Sequence, residues 1–119
     1  MVKAIVLVVE DEILLRIGAV QMVEDAGYEA IEAADADEAI RILESRADVR
    51  IVFTDINMPG SMDGLKLAKA IRNRWPPIRL IVTSGKVTLN PGDIPPDGRF
   101  LAKPYSARQV ADVISELAA

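Results

Sequence analysis

In four places in this sequence an ionisable or hydroxyl side chain stands directly behind an apolar run. Glu10 and Asp11 follow "AIVLVV", Asp55 follows "IVFT", Thr83 and Ser84 follow "RLIV", and Lys103 with Pro104 follows "RFLA". Three carboxylates brought together repel, and without compensation at least one pKa rises. A divalent cation removes that difficulty. Mg2+ prefers oxygen ligands in octahedral array and keeps several waters, so it needs only one or two carboxylates and a phosphate oxygen. Glu10, Asp11 and Asp55 suit it. Lys103 adds a compact positive charge for a phosphoryl group or for a carboxylate awaiting one, and the Ser84 hydroxyl can donate a hydrogen bond to the same group. The chemistry this describes is phosphoryl transfer to a carboxylate nucleophile. Asp55 is the expected acceptor, because its metal-binding neighbours come from the adjacent strand end.

Singly, each residue has a plainer reading: Asp11 or Asp55 as a helix cap, Ser84 in a turn, Lys103 solvated. Together they do not. Asp55 is separated from the next helix by a Pro/Gly turn, and Asp63 is the better cap for that helix.

The elements that must position these residues read as alternating strands and helices. Residues 4–9 form a continuously apolar, β-branched run, the mark of a strand buried on both faces. Residues 12–26 then place Ile13, Ile17, Val20, Val23 and Ala26 at helical spacing, and Gly27 stops the helix. "YEAIEAA" is a weaker strand, followed by Asp35 and Glu38 as a cap for a helix turning Ala36, Ala39, Ile40 and Leu43 inward. Residues 50–54 are the third strand. The helix after it carries Leu65, Ala68 and Ile71 and ends before Trp75-Pro76-Pro77. "RLIVTS" and "RFLA" are the fourth and fifth strands, and Ser106 caps a last helix with Val110, Val113, Ile114 and Leu117 on one face. The expected fold is α/β, a doubly wound five-stranded parallel sheet with right-handed crossovers. Ligands of such sheets bind outside the carboxyl ends of the strands, where the polar residues stand.

Composition bounds the rest. A chain of 119 residues fits a single domain spanning residues 1–119, and half of it is apolar. With no Cys and no His there is no thiolate, imidazole base or zinc-type cluster. A net charge of −4 without a Lys/Arg cluster offers no footprint for nucleic acid. The longest apolar run is too short for a membrane span or a signal segment, so a cytoplasmic protein with no membrane partner is expected. Without His the chain cannot be its own phosphohistidine donor. The donor is another protein or a small phosphate ester.

The residues resemble the receiver domain of two-component response regulators over nearly the whole chain. The matching pieces are "VEDE" after the first strand, "TDINMPG" with "MDGL" after the third, "TSG" after the fourth and "KPY" after the fifth. The resemblance implies the flavodoxin-like (βα)5 fold with strand order 2-1-3-4-5. It implies Asp55 as phosphoacceptor, and Glu10, Asp11, Asp55 and the backbone carbonyl of Asn57 as Mg2+ ligands. It also implies Lys103 in contact with Asp55 and the phosphoryl oxygens, a cis Lys103-Pro104 bond, Ser84 as switch hydroxyl and Phe100 as switch aromatic. The implied partners are a histidine kinase or phosphotransfer protein and a downstream protein target not named by the sequence. The implied protein is no enzyme beyond its own phosphorylation and dephosphorylation, and is either a stand-alone receiver or a segment of a longer chain.

Three features depart from the family pattern. The turn "MPGSMDG" is one residue longer than the common form, and Phe100 lacks the hydroxyl many relatives carry. Residues 86–98 occupy the place of the fourth helix, but Pro91, Pro95, Pro96, Gly92 and Gly98 forbid a regular one, so a shortened helix or a Pro/Gly-rich loop is expected. Competing readings are weaker. An aspartyl-phosphate phosphatase wants a second acid where Asn57 stands. A flavin or nucleotide carrier wants a Gly/Ser/Thr-rich cradle where "VEDEIL" offers acids. A binding module that works without phosphorylation remains as the alternative on the same fold.

Overall fold

The computed structural model of the chain describes residues 4–57, 63–85 and 98–118. Its strands are β1 (Ile5–Val9), β2 (Glu29–Ala33), β3 (Val49–Asp55), β4 (Arg79–Ser84) and β5 (Arg99–Ala102). Its helices are α1 (Ile13–Asp25), α2 (Ala36–Ser45), α3 (Gly64–Arg74) and α4 (Ala107–Ala118). The strands form one parallel sheet in the order β2-β1-β3-β4-β5. This is the doubly wound, flavodoxin-like arrangement expected. The expected longer turn after Asp55 and the expected loop in place of a fourth helix fall on residues 58–62 and 86–97 respectively, outside the described ones. Among the described residues no helix is long and apolar enough to cross a membrane.

Strand alternation divides the core between the two faces of the sheet. Ile5, Leu7, Val9, Val52 and Leu80 pack with Ala36, Ala39 and Leu43 of α2 and Leu67, Ala68 and Ile71 of α3. Val6, Val8, Ile51, Phe53 and Ile81 pack with Ala19 and Val23 of α1 and Val110 and Ile114 of α4. The β1–β3 register slips between Ile5 and Val6, so that Val49 and Ile51 serve opposite faces.

The caps are local and follow the sequence. Asp35 accepts from Glu38 N at 2.8 Å, while Glu38 accepts in turn from Ala34 N at 2.9 Å. Asp63 accepts from Lys66 N at 2.9 Å, so it caps α3 as expected. Ser106 and Gln109 cap α4 reciprocally, at 3.1 and 2.8 Å. Gly27 takes φ +96°, a left-handed conformation that ends α1 cheaply.

Two helix faces differ from expectation. In α1 the buried residues are Ala19 and Val23, while Ile13, Leu14, Leu15 and Ile17 stay exposed. Ala19 and Val23, with Val20 and Met22 beside them, pack on the sheet, and Arg16 lies on that same side, where its guanidinium donates to the Glu10 carbonyl at 2.9 Å and to Glu32 at 3.0 Å. In α3 the inward residue is Leu67 rather than Leu65, one helical turn from Ile71. Leu65 is half-buried.

Candidate functional site

β1, β3 and β4 end side by side, and each delivers polar residues to the same rim. Glu10, just past β1, is 4% exposed, Asp55, the last residue of β3, is 5% exposed, and Ser84, the last of β4, is also buried. Asp11 faces solvent. Such burial of charge is tolerable only with partners, and Lys103 is that partner. Its Nζ lies 2.9 Å from Asp55 Oδ2 and 3.2 Å from Glu10 Oε1.

The backbone supplies the remaining contacts. Glu12 N donates to Glu10 Oε2 at 3.2 Å, and Asn57 N donates to Asp55 Oδ1 at 3.3 Å. Asp55 is thus held at both oxygens. The Asn57 side-chain amide donates to Ser84 Oγ at 3.5 Å, a long contact. Ile56 N donates to Thr83 O at 2.9 Å and Lys103 N to Ser84 O at 3.1 Å, which extend the β3–β4 and β4–β5 ladders to the rim. The Lys103-Pro104 peptide is cis, and Tyr105 just beyond it packs its ring on Phe53 with centroids 5.4 Å apart.

Burial is the main cause that pushes the Glu10 carboxyl above its ordinary range; the Asp55 charge adds to it, and the Glu12 amide and Lys103 oppose it. Burial also acts to lower the Lys103 ammonium, but the hydrogen bond and charge of Asp55, with those of Glu10, raise it overall. Lys103 therefore stays protonated at neutral pH.

Glu10, Asp11 and Asp55 each offer one carboxylate oxygen, and these atoms lie within 4.8 Å of one another. Among the described residues three carboxylates face one ammonium. The excess negative charge and the all-oxygen donor set fit a hard divalent cation. The structure therefore brings together Glu10, Asp11, Asp55, Asn57, Ser84 and Lys103, as the sequence suggested. It leaves Phe100 40% exposed on the edge strand β5.

Two contributors had no signal in residue type alone. Thr54 is fully buried and its hydroxyl donates to the Asp55 carbonyl at 3.0 Å. Gly64 packs against the same carbonyl. The "MDG" stretch was the one available pointer to it. Thr83, the other hydroxyl that the sequence puts behind the fourth apolar run, is buried beside Asp55 in the sheet register, and among the described residues its hydroxyl finds no hydrogen-bond partner.

A parallel sheet whose carboxyl rim gathers these acids around one lysine defines a class, and the chain belongs to it: the response regulator receiver domain family, whose model matches residues 6–93. It is a receiver domain of two-component response regulators. The sensor kinase CckA of Brucella abortus is 38% identical over 119 residues, covering 97% of this chain and 12% of that protein. The response regulator protein FleR of Pseudomonas aeruginosa is 33% identical, covering 92% of this chain and 24% of that protein. The chain thus spans a minor part of the length of these relatives. Among solved structures, a response regulator receiver protein from Sinorhizobium medicae has a TM-score of 0.89 at 28% identity, covering 97% of this chain and 94% of that one.

Proposed function

We propose that Asp55 accepts a phosphoryl group from the phosphohistidine of a histidine kinase or phosphotransfer protein. The observation that carries this reading is the pairing of Asp55 Oδ2 with Lys103 Nζ at 2.9 Å beside the carboxylate oxygens of Glu10 and Asp11. A carboxylate oxygen of Asp55 attacks phosphorus, the P–N bond to the donor imidazole breaks, and its electron pair returns to the ring nitrogen. Lys103 stays charged and moves from the carboxylate toward the phosphoryl oxygens, and Ser84 Oγ donates to one of them. Glu10, Asp11, Asp55 and the Asn57 carbonyl would hold Mg2+, which would neutralise charge on the transferring group.

The donor needs a docking surface next to this rim, and α1 supplies one. Ile13, Leu14, Leu15 and Ile17 are exposed on it, and Leu14 and Leu15 line an apolar cavity of about 420 Å³ together with Met22, Lys103, Pro104 and Tyr105. Exposed apolar clusters of this kind mark partner surfaces. The cavity's polar wall is the lysine that pairs with Asp55. A partner seated there sits beside the acceptor. After transfer, Ser84 and Phe100 report the phosphoryl group to a downstream protein. This reading sets the domain in the cytoplasm, on the side where its kinase acts, as a signalling module and not an enzyme with external substrates.

Incubation with a small phosphodonor and Mg2+, followed by intact mass, tests it. The wild-type chain gains one phosphoryl group and Asp55→Asn gains none. No gain, or an undiminished gain in the variant, overturns the reading in favour of a binding module that works without phosphorylation.

A further inference from the structure

α3 begins against the strand end that carries the acceptor. Gly64, its first residue, is buried, and its N–H donates to the Ile56 carbonyl at 2.9 Å. A Cβ at this position would overlap the Asp55 carbonyl oxygen and stand 2.7 Å from Ile56 Cα and 2.8 Å from the Asp55 carbonyl carbon. All three are backbone atoms, so no side-chain rotation relieves the overlap. The same carbonyl oxygen accepts the Thr54 hydroxyl at 3.0 Å. On the other side Ile56 N is tied to Thr83 O at 2.9 Å. The Asp55–Ile56 backbone is therefore clamped between β4 and the start of α3.

From this we infer that Gly64 is a positioning residue for Asp55, with Thr54 as its counterpart: the missing side chain lets α3 seat on the strand end and fixes the carboxylate against Lys103. The inference rests on the proposed phosphoacceptor role of Asp55. Geometry decides which partner would yield to an added methyl. α3 is anchored by Leu67, Ala68 and Ile71, all with no exposed surface. The strand end is held by the buried Ile56, by single hydrogen bonds from Ile56 N and the Thr54 hydroxyl, and by two side-chain contacts of Asp55 at 2.9 and 3.3 Å, most of them on the rim and not in the core. The helix is the stiffer body, so the strand end moves, and Asp55 moves with it.

The test compares Gly64→Ala, Thr54→Val and Ile71→Val in the 119-residue chain. The first adds the clash and the second removes the hydroxyl donor. The third loosens the far end of α3 without touching β3's end. The readout is the rate of phosphorylation by carbamoyl phosphate at saturating donor and Mg2+. Gly64→Ala should fall about 100-fold, the cost of a misplaced reacting group. Thr54→Val should fall roughly fivefold, the rate equivalent of one net hydrogen bond. Ile71→Val should melt at lower temperature and keep the wild-type rate.

A wild-type rate in folded Gly64→Ala overturns the inference. So does a loss in Ile71→Val equal to that in Gly64→Ala, which would make the effect one of stability alone. If Gly64→Ala does not fold, Thr54→Val decides: a reduced rate supports the clamp and a wild-type rate overturns it. If the wild-type chain takes no phosphoryl group, the function reading fails separately. The positioning claim is then settled by crystal structures of wild type and Thr54→Val. Separation of Asp55 Oδ2 from Lys103 Nζ in the variant supports it, and an unchanged pair overturns it.

Discussion

Lys103 Nζ sits 2.9 Å from Asp55 Oδ2, and the two side chains come from strand ends separated by 48 residues of chain. Asp55 is nearly buried and Lys103 is partly open to solvent, so the ammonium is preorganised against the acceptor yet free to follow charge as it develops. Removing a preorganised donor of this kind costs about 100-fold in rate. Lys103→Ala should therefore slow phosphorylation by a small phosphodonor by about that factor. The same substitution removes a cation competing for Glu10 and Asp55, so Mg2+ should bind more tightly. Calorimetric titration of Mg2+ and intact-mass kinetics on one preparation check both. Weaker Mg2+ binding would show that Lys103 organises the acids rather than competing for them.

Glu10 makes the site's stability depend on pH. Its carboxyl is raised above the ordinary 4.5, chiefly by burial and further by Asp55. Between 4.5 and the raised value the folded chain holds a proton that the unfolded chain has released. The stability this supplies is complete below the unfolded value and lost as pH rises through the folded one. The Lys103 ammonium, raised from 10.5, follows the same rule at alkaline pH, so it leaves the neutral range untouched. Glu10→Gln holds the site in its neutral form. In Mg2+-free buffer it should melt above wild type at pH 7 and level with it at pH 4. Adding Mg2+ at pH 7 should narrow or reverse the gap, because the ion stabilises the charged form. A variant less stable at pH 7 without metal would refute this account of Glu10.

Thr83 and Ser84 are adjacent hydroxyl residues at the end of β4, and the family resemblance implies Ser84 as the switch hydroxyl. Ser84 Oγ lies 3.5 Å from the Asn57 amide at the rim, whereas the Thr83 hydroxyl is buried without a partner among the described residues. A buried unsatisfied hydroxyl costs stability, and an isosteric methyl recovers part of it. Thr83→Val should be unchanged or more stable by about 1 kcal/mol in urea denaturation and should phosphorylate normally. Ser84→Ala should phosphorylate more slowly. The opposite pattern would move the switch hydroxyl to Thr83.

What could be read from sequence was what local chemistry fixes. The caps at Asp35, Asp63 and Ser106 and the stop at Gly27 depend on neighbours within a few residues, and all stand as expected. The rim residues were legible because an apolar strand announces where it ends. The inward face of α1 was legible only in its second half. Periodicity offered the stripe Ile13, Ile17, Val20, Val23 and Ala26; Val20 and Val23 pack on the core, but Ile13 and Ile17 stay exposed. Arg16 instead reaches Glu32 on β2 and the Glu10 carbonyl, partners that only the tertiary fold supplies. "MDGL" marked the stretch, but the constraint on Gly64 was illegible for the same reason, since it is the Asp55 carbonyl on the preceding strand. Leu65 and Leu67 are both apolar, and the sheet rather than the helix period selects between them.

The misread face of α1 carries the last prediction. Leu14 is 73% exposed, so replacing it with a charged residue should alter stability by no more than about 0.5 kcal/mol. It leaves the carboxylates and Lys103 untouched. If α1 is where a protein donor docks, Leu14→Glu should lower phosphotransfer at least tenfold, the effect of about 1.4 kcal/mol of lost binding. The donor for this test is a histidine kinase that phosphorylates the wild-type chain. Phosphorylation by carbamoyl phosphate, which needs no docking, should be unchanged. The ratio of the two rates isolates the surface from the site. Equal losses with both donors would place Leu14 in the site itself, and no loss with either would leave the exposed face of α1 to a partner other than the donor.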